Sequence, residues 1–204
     1  MRHKGTIFIA LGLLLVVGAL ALFGYNMWDD HRAAESVETV ITQMEEMLPP
    51  RGEVRYPEAV TADYILAPEM EMPTVEVENN DYIGYISIPS IDIELPVMAE
   101  WDYDKLKEAP CRYNGSAYLD DLVICAHNYT RHFGKLSRLH IGDIVEFVDI
   151  DGNIFVYEVA EKEQLEPNEA KRMLAGDWAL SLFTCTIGGQ YRTTIRCDRV
   201  ESAG

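Results

Sequence analysis

Basic residues are scarce in this sequence: 17 Lys and Arg stand against 34 Asp and Glu, giving a net charge of −17 over 204 residues. Phosphate backbones are held by cationic faces, so nucleic acid is excluded as a natural partner. An acidic surface keeps a chain soluble but names no substrate. CxxC spacing is missing among Cys111, Cys125, Cys185 and Cys197, which argues against a structural zinc site. No EF-hand loop pattern is present either, which removes that route to calcium. Internal repeats and low-complexity tracts are lacking too. Finally, one stretch lacks charge altogether: residues 5–28, GTIFIALGLLLVVGALALFGYNMW.

That stretch is long enough to cross a bilayer core, which takes about 20 apolar residues as a helix. Arg2, His3 and Lys4 precede it, and Asp29 and Asp30 follow it. The excess of positive charge on the N-terminal side predicts a cytoplasmic N-terminus and an extracellular remainder. Ala19-Leu20-Ala21 resembles a signal-peptide cleavage motif. The apolar run, however, exceeds the roughly 7–15 residues of a signal h-region, so an uncleaved single-pass anchor in the cell membrane is the expectation.

Three regions follow: residues 1–28 as cytoplasmic terminus and anchor, 29–80 as stalk helix and acidic linker, and 81–204 as a folded domain. In residues 29–48, Ala33, Ala34, Val37, Val40, Ile41, Met44, Met47 and Leu48 recur at helical steps. Asp29 or Asp30 is placed to cap this helix, and Pro49-Pro50 to stop it. Fewer than three heptads is short for a coiled coil, so the stripe is expected to pack on its own domain rather than on a second copy. Residues 50–80 are rich in Pro and Glu and read as a linker or wrapping segment that lifts the domain off the membrane.

From residue 81 the texture turns to strands. YIGYISIPSIDIELPVM, LVICAH, WALSLFTCT and YRTTIRCDRV carry β-branched and aromatic runs. Asp151-Gly152-Asn153 sits between two alternating stretches, a hairpin signal. Only a few helical pieces appear, such as residues 103–107 and 168–174. Many short strands in about 120 residues predict a mainly β domain, a closed barrel or a sandwich.

A thiol becomes a nucleophile when a neighbour favours the thiolate or shuttles its proton. His3 precedes the anchor, His31 lies in the stalk, and His140 falls at a turn in RLHIGD. His127 follows directly on the strand LVICA, held by a rigid element and facing an end loop, while His132 lies in the more mobile loop beyond. Read alone, Cys185 is better taken as a packed core thiol than as a nucleophile. An even count of exported cysteines suggests two disulfides; a catalytic one leaves at least one of the other three unpaired.

The order of motifs narrows the choice. AHN at 126–128, FGKL at 133–136, IGD at 141–143, LFTC at 182–185 and Arg192 seven residues past the cysteine together resemble the sortases, the cysteine transpeptidases of Gram-positive surfaces. Their TLxTC signature reads Ser181-Leu182-Phe183-Thr184-Cys185 here, and YIGYISIPSIDIELPV at 82–97 looks like the family's opening strands. Ser181 stands where Thr is usual, and Ala126 where Gly is common. Arg196 shares strand parity with Arg192, but Arg192-Thr-Thr-Ile195 fits the family's R-x-x-[VI] setting. The resemblance covers residues 81–200. It implies a sortase-like closed β-barrel of about eight strands with a few short helices. It also implies Cys185 as nucleophile, His127 as proton donor and Arg192 on the oxyanion, with Thr184, Leu182 and Asn128 around the substrate. No metal or cofactor is required. The implied partners are an LPxTG-like sorting-signal peptide and an amine from cell-wall precursor or pilin, met at the membrane. Residues 169–174 are a candidate specificity wall. The chain ends in polar ESAG, and residues 29–80 lack an Asp-Pro-aromatic lid motif. A class B- or D-like enzyme is therefore expected rather than a pilin-polymerising class C one. The rival readings are a cysteine peptidase that only hydrolyses, and a β-barrel binding module without activity.

Overall fold

The fold was obtained as a computed structural model, which describes residues 2–48, 62–186 and 188–200. Its first element, α1 (Arg2–Met47), is one unbroken helix. The separate helix start expected at Asp29 or Asp30 is not there, because nothing at that point breaks the i→i−4 ladder. Their carboxylates bond outward instead. The apolar half is exposed along its length and is long and apolar enough to cross a membrane.

Beyond Trp28 the helix packs on the β domain. Ala33, Val40 and Met44 are buried, and Val37 and Leu48 partly so. This is the helical stripe read from the sequence, and it lies on its own domain. Met47 alone of the stripe's later residues is exposed, at 53%. Pro49-Pro50, the expected stop signal, lies outside the described residues, as do residues 50–61 of the Pro/Glu-rich segment. The described remainder of that segment wraps the barrel rather than lifting it. Ala62 and Met72 are buried, α2 (Asp63–Leu66) follows Ala62, and the Tyr64 ring stacks on Tyr118 at 4.8 Å.

The domain is a nine-stranded sheet. In chain order the strands are β1 (Val75–Val77), β2 (Asn80–Ile88), β3 (Ile93–Met98), β4 (Cys111–Asn114), β5 (Leu122–Cys125), β6 (Ile144–Asp149), β7 (Ile154–Leu165), β8 (Leu180–Cys185) and β9 (Arg192–Arg199), with α3 (Ala170–Met173) between β7 and β8. The spatial order is β1-β2-β3-β4-β5-β8-β9-β7-β6, and β2 also pairs with β6. The ring thus closes through eight strands, with β1 added at the rim. Closure removes every free edge but that one. The seam requires Gly84: its φ is +148°, and a Cβ there would come within 2.0 Å of the Val148 carbonyl oxygen. The expected hairpin joins β6 to β7. Asp149 Oδ1 accepts the N–H groups of Asp151 and Asn153, and Gly152 supplies the positive φ.

The barrel is filled by β-branched and aromatic side chains, among them Ile83, Ile86, Leu95, Phe147, Phe155, Leu182 and Ile195. A second cluster lies outside the barrel wall, where Val40 and Met44 of α1 cover Tyr82, Met98, Cys111 and Cys125.

Candidate active site

Three neighbouring strands assemble the site. β5 runs parallel to β8, with Cys125 beside Phe183. The Ala126 N–H donates to the Phe183 carbonyl at 3.2 Å, and the Thr184 hydroxyl donates to the Ala126 carbonyl at 2.8 Å. The chain therefore leaves β5 alongside the last residues of β8, and His127 is the next residue out. On the other side β9 is antiparallel, and Cys185 pairs directly with Arg192. Directly opposed residues have Cβ atoms about 5 Å apart on one face of the sheet. The connection between them is tight: Thr186 N–H bonds the Tyr191 carbonyl at 2.9 Å, and Gly188 and Gly189 both take positive φ.

Cys185, His127 and Arg192 are each half-buried and line one groove of about 210 Å³. Trp101, Tyr113, Phe183, Pro167 and Met173 give it an apolar wall. Residues 169–174, expected as a specificity wall, supply part of that wall through Glu169, Ala170 and Met173. Thr184 lines the groove as well. Leu182 is fully buried in the barrel between Ile124 and Ile195; it anchors β8 from inside the barrel and offers no surface to a peptide. Asn128 is half-buried and lines a second, more polar groove that shares Thr184 and Cys185 with the first.

The four thiols are free and occupy different surroundings. Burial pushes Cys111 and Cys197 up to about 12, and Cys125 higher still. Such thiols stay protonated and inert. Cys185 alone is half-exposed in the groove. Burial holds the His127 imidazole below its ordinary value of 6.5; the Asp29 carboxylate opposes this and the Lys107 ammonium adds to it. Its ring lies 4.9 Å from Tyr129, whose hydroxyl donates to Asp29 of α1 at 2.5 Å.

His132 is placed differently from its expected mobile loop position. It is fully buried under α1, its ring nitrogens lack a well-formed hydrogen bond, and burial pushes it down to about 4.

The three arginines of β9 separate cleanly. Among the described residues, Arg192 reaches only loop carbonyls, Gly189 and Tyr191, each at 3.4 Å. Arg196 is 2% exposed and fully engaged with Glu163, Ser181, and the carbonyls of Met173 and Arg172. Arg199 pairs with Asp120 and lies over the Phe155 ring. Ser181, the departure from the usual Thr, is thus the hydroxyl that accepts Arg196 at 2.8 Å.

Sequence reasoning missed the loop between β3 and β4, which contributes Trp101, Tyr103 and Leu106 to the groove. Its one signal was the pair of aromatics in WDYDKLKEAP, where residues 103–107 read only as a short helical piece.

The family model described as the sortase domain matches residues 86–200, from within β2 to the end of β9. Sortase A of Bacillus anthracis is 24% identical over 190 residues, covering 90% of this chain and 89% of that protein. Among solved structures, sortase C of Streptococcus pneumoniae superposes with a TM-score of 0.54 at 23% identity, covering 87% of this chain and 90% of the other. A Clostridium perfringens sortase C, solved with its C-terminal cell wall sorting motif, gives 0.53 at 25% identity over 60% of this chain and 72% of that one. These neighbours are sortases C, so they lend no support to the expectation of a class other than C. With the matched residues spanning the barrel and both strands that flank the groove, the chain belongs to the sortase family of cysteine transpeptidases.

Proposed function

We propose that this chain is a membrane-anchored transpeptidase in which Cys185, His127 and Arg192 carry the reaction. It would cleave an LPxTG-like sorting signal between Thr and Gly and pass the acyl group to a primary amine of cell-wall precursor or pilin. The observation that carries this reading is the pairing of Cys185 with Arg192 across β8 and β9, in one groove with His127. The Cys185 thiolate attacks the Thr carbonyl carbon, and the oxyanion that forms is met by the guanidinium fork of Arg192. His127 as imidazolium gives its proton to the departing glycine amine, leaving a thioester on Cys185. The incoming amine then attacks that thioester, loses a proton to the imidazole and releases the thiolate. The apolar wall of Trp101, Tyr113, Phe183 and Met173 suits the apolar residues N-terminal to the scissile bond. Among the described residues, Arg192 has only long bonds to loop carbonyls, which leaves its donors available.

The cytoplasmic N-terminus and extracellular barrel follow from the charge around the apolar half of α1. An LPxTG-type peptide supplied with and without an amine tests the chemistry. The expected result is an amide product that grows with acceptor, and none from Cys185→Ala. Hydrolysis alone at every acceptor level would make the protein a peptidase. Full function of Cys185→Ala would make it a binding module.

A further inference from the structure

The loop bearing His127 is tied to the end of the apolar helix. Tyr25 and Trp28 close the apolar run, exposed at 60% and 59%, with rings 6.0 Å apart. Such aromatics mark the boundary between hydrocarbon and headgroups. The next helical turn already holds the barrel. Asp29 accepts the Tyr129 hydroxyl, Asp30 accepts the Thr130 N–H at 2.7 Å, and Arg131 shares a hollow with Met27 and Trp28. A helix rises 1.5 Å per residue, so residues 29–33 span about 6 Å. Each headgroup layer is roughly 5–8 Å thick, half the difference between the full bilayer and its core. The loop bearing His127 is therefore bound to α1 at headgroup depth.

The loop between β3 and β4 lies on the same groove as that loop. Its Trp101, Tyr103 and Leu106 line the groove together with His127, two residues from the Tyr129 that is bonded to Asp29 of α1. This loop exposes Trp101 at 45% and Tyr103 at 69%, and both line the groove that contains Cys185. Amphipathic rings with an apolar body and a polar tip suit the headgroup layer better than water. The loop also carries Glu100, Asp102, Asp104 and Glu108 against Lys105 and Lys107, so it has no basic patch for anionic lipid.

We infer that Trp101 and Tyr103 lie in the headgroup layer of the same bilayer that α1 crosses, so that the groove opens onto the membrane surface. This rests on the reading of α1 as a membrane span. Contact is made by aromatic insertion rather than by charge, and it is insensitive to salt. Substrates are taken at headgroup depth, so a peptide or amine that is itself membrane-bound reaches Cys185 without leaving the surface.

The chain has three tryptophans, Trp28, Trp101 and Trp178. Trp178 precedes Leu180, at the opposite end of β8 from Cys185, and serves as an internal control. Each single-Trp protein, made by Trp→Phe changes at the other two, is reconstituted as the full chain in phosphatidylcholine–phosphatidylglycerol vesicles with a headgroup-nitroxide lipid. The expected result is quenching of Trp101 comparable to that of Trp28 and several-fold that of Trp178, unchanged by salt. Unquenched Trp28 overturns the membrane span, and the inference with it. Quenched Trp28 with Trp101 no more quenched than Trp178 overturns the inference alone. The wild-type chain provides a second readout with a headgroup-photoactivatable phosphatidylcholine: crosslinks on residues 99–107 support the inference, and crosslinks confined to α1 overturn it.

Discussion

Arg192 and Arg196 lie four residues apart on one strand and on one face of the sheet, yet their surroundings assign them different work. Arg192 stands at the open end of β9 opposite Cys185 and, among the described residues, bonds only loop carbonyls. Arg196 is enclosed beneath α3, bonded to Glu163, Ser181 and two main-chain carbonyls from the segment that walls the groove. Removing a buried, fully paired charge leaves its partner buried and alone, at a cost of about 3–5 kcal/mol. Arg196→Ala is therefore expected to lower unfolding free energy by that amount in a denaturant titration. Arg192→Ala is expected to leave unfolding nearly unchanged while lowering kcat by about 10²–10³, the usual loss for an oxyanion donor. The reverse pattern would exchange their roles. The sequence placed both arginines at the same strand parity, which spacing alone does not resolve. What separates them is the segment carrying α3, which covers one and leaves the other open.

At the scale of elements, α1 and the loop after β5 act as one unit. Ala33 lies over His132, and Asp29 and Asp30 hold Tyr129 and Thr130. His132 titrates near 4 when folded and near 6.5 as an ordinary imidazole, held down mainly by burial. As pH falls below the unfolded value, the unfolded chain takes up a proton that the folded chain refuses. Stability is thus full above about 6.5 and declines until pH passes about 4, by a total of roughly 3 kcal/mol. His132→Phe is expected to remove this part of the acid sensitivity, seen as a flatter unfolding free energy against pH. An unchanged slope would place His132 in contact with water. The β-branched runs and the Asp-Gly-Asn hairpin made the strands legible, because alternation and turn chemistry are local. The burial of His132 was not, since it depends on a helix about 100 residues earlier in the chain.

For the whole molecule, the outer half of α1 belongs to the fold. It covers Tyr82, Met98, Cys111 and His132, all nearly inaccessible in the intact chain. A fragment beginning at residue 62 lays these bare, whereas one beginning at residue 29 keeps them covered. Uncovering a few large side chains costs about 1.5–3 kcal/mol each. The shorter fragment is expected to be less stable by on the order of 5 kcal/mol in thermal or chemical unfolding; equal stability would show the helix to be a passive stalk. By itself the sequence determined the apolar helix, the strand-rich domain, and the ordered motifs from AHN to Arg192, because apolar length, strand composition and motif spacing are written along one dimension. Only the tertiary structure decided that α1 runs unbroken onto the barrel and that Arg192 rather than Arg196 faces Cys185. It also decided that the loop carrying Trp101 and Tyr103 lines the groove with His127 and Cys185. Each of these depends on which strands become neighbours when the barrel closes, and that choice is made by packing between segments far apart in the chain.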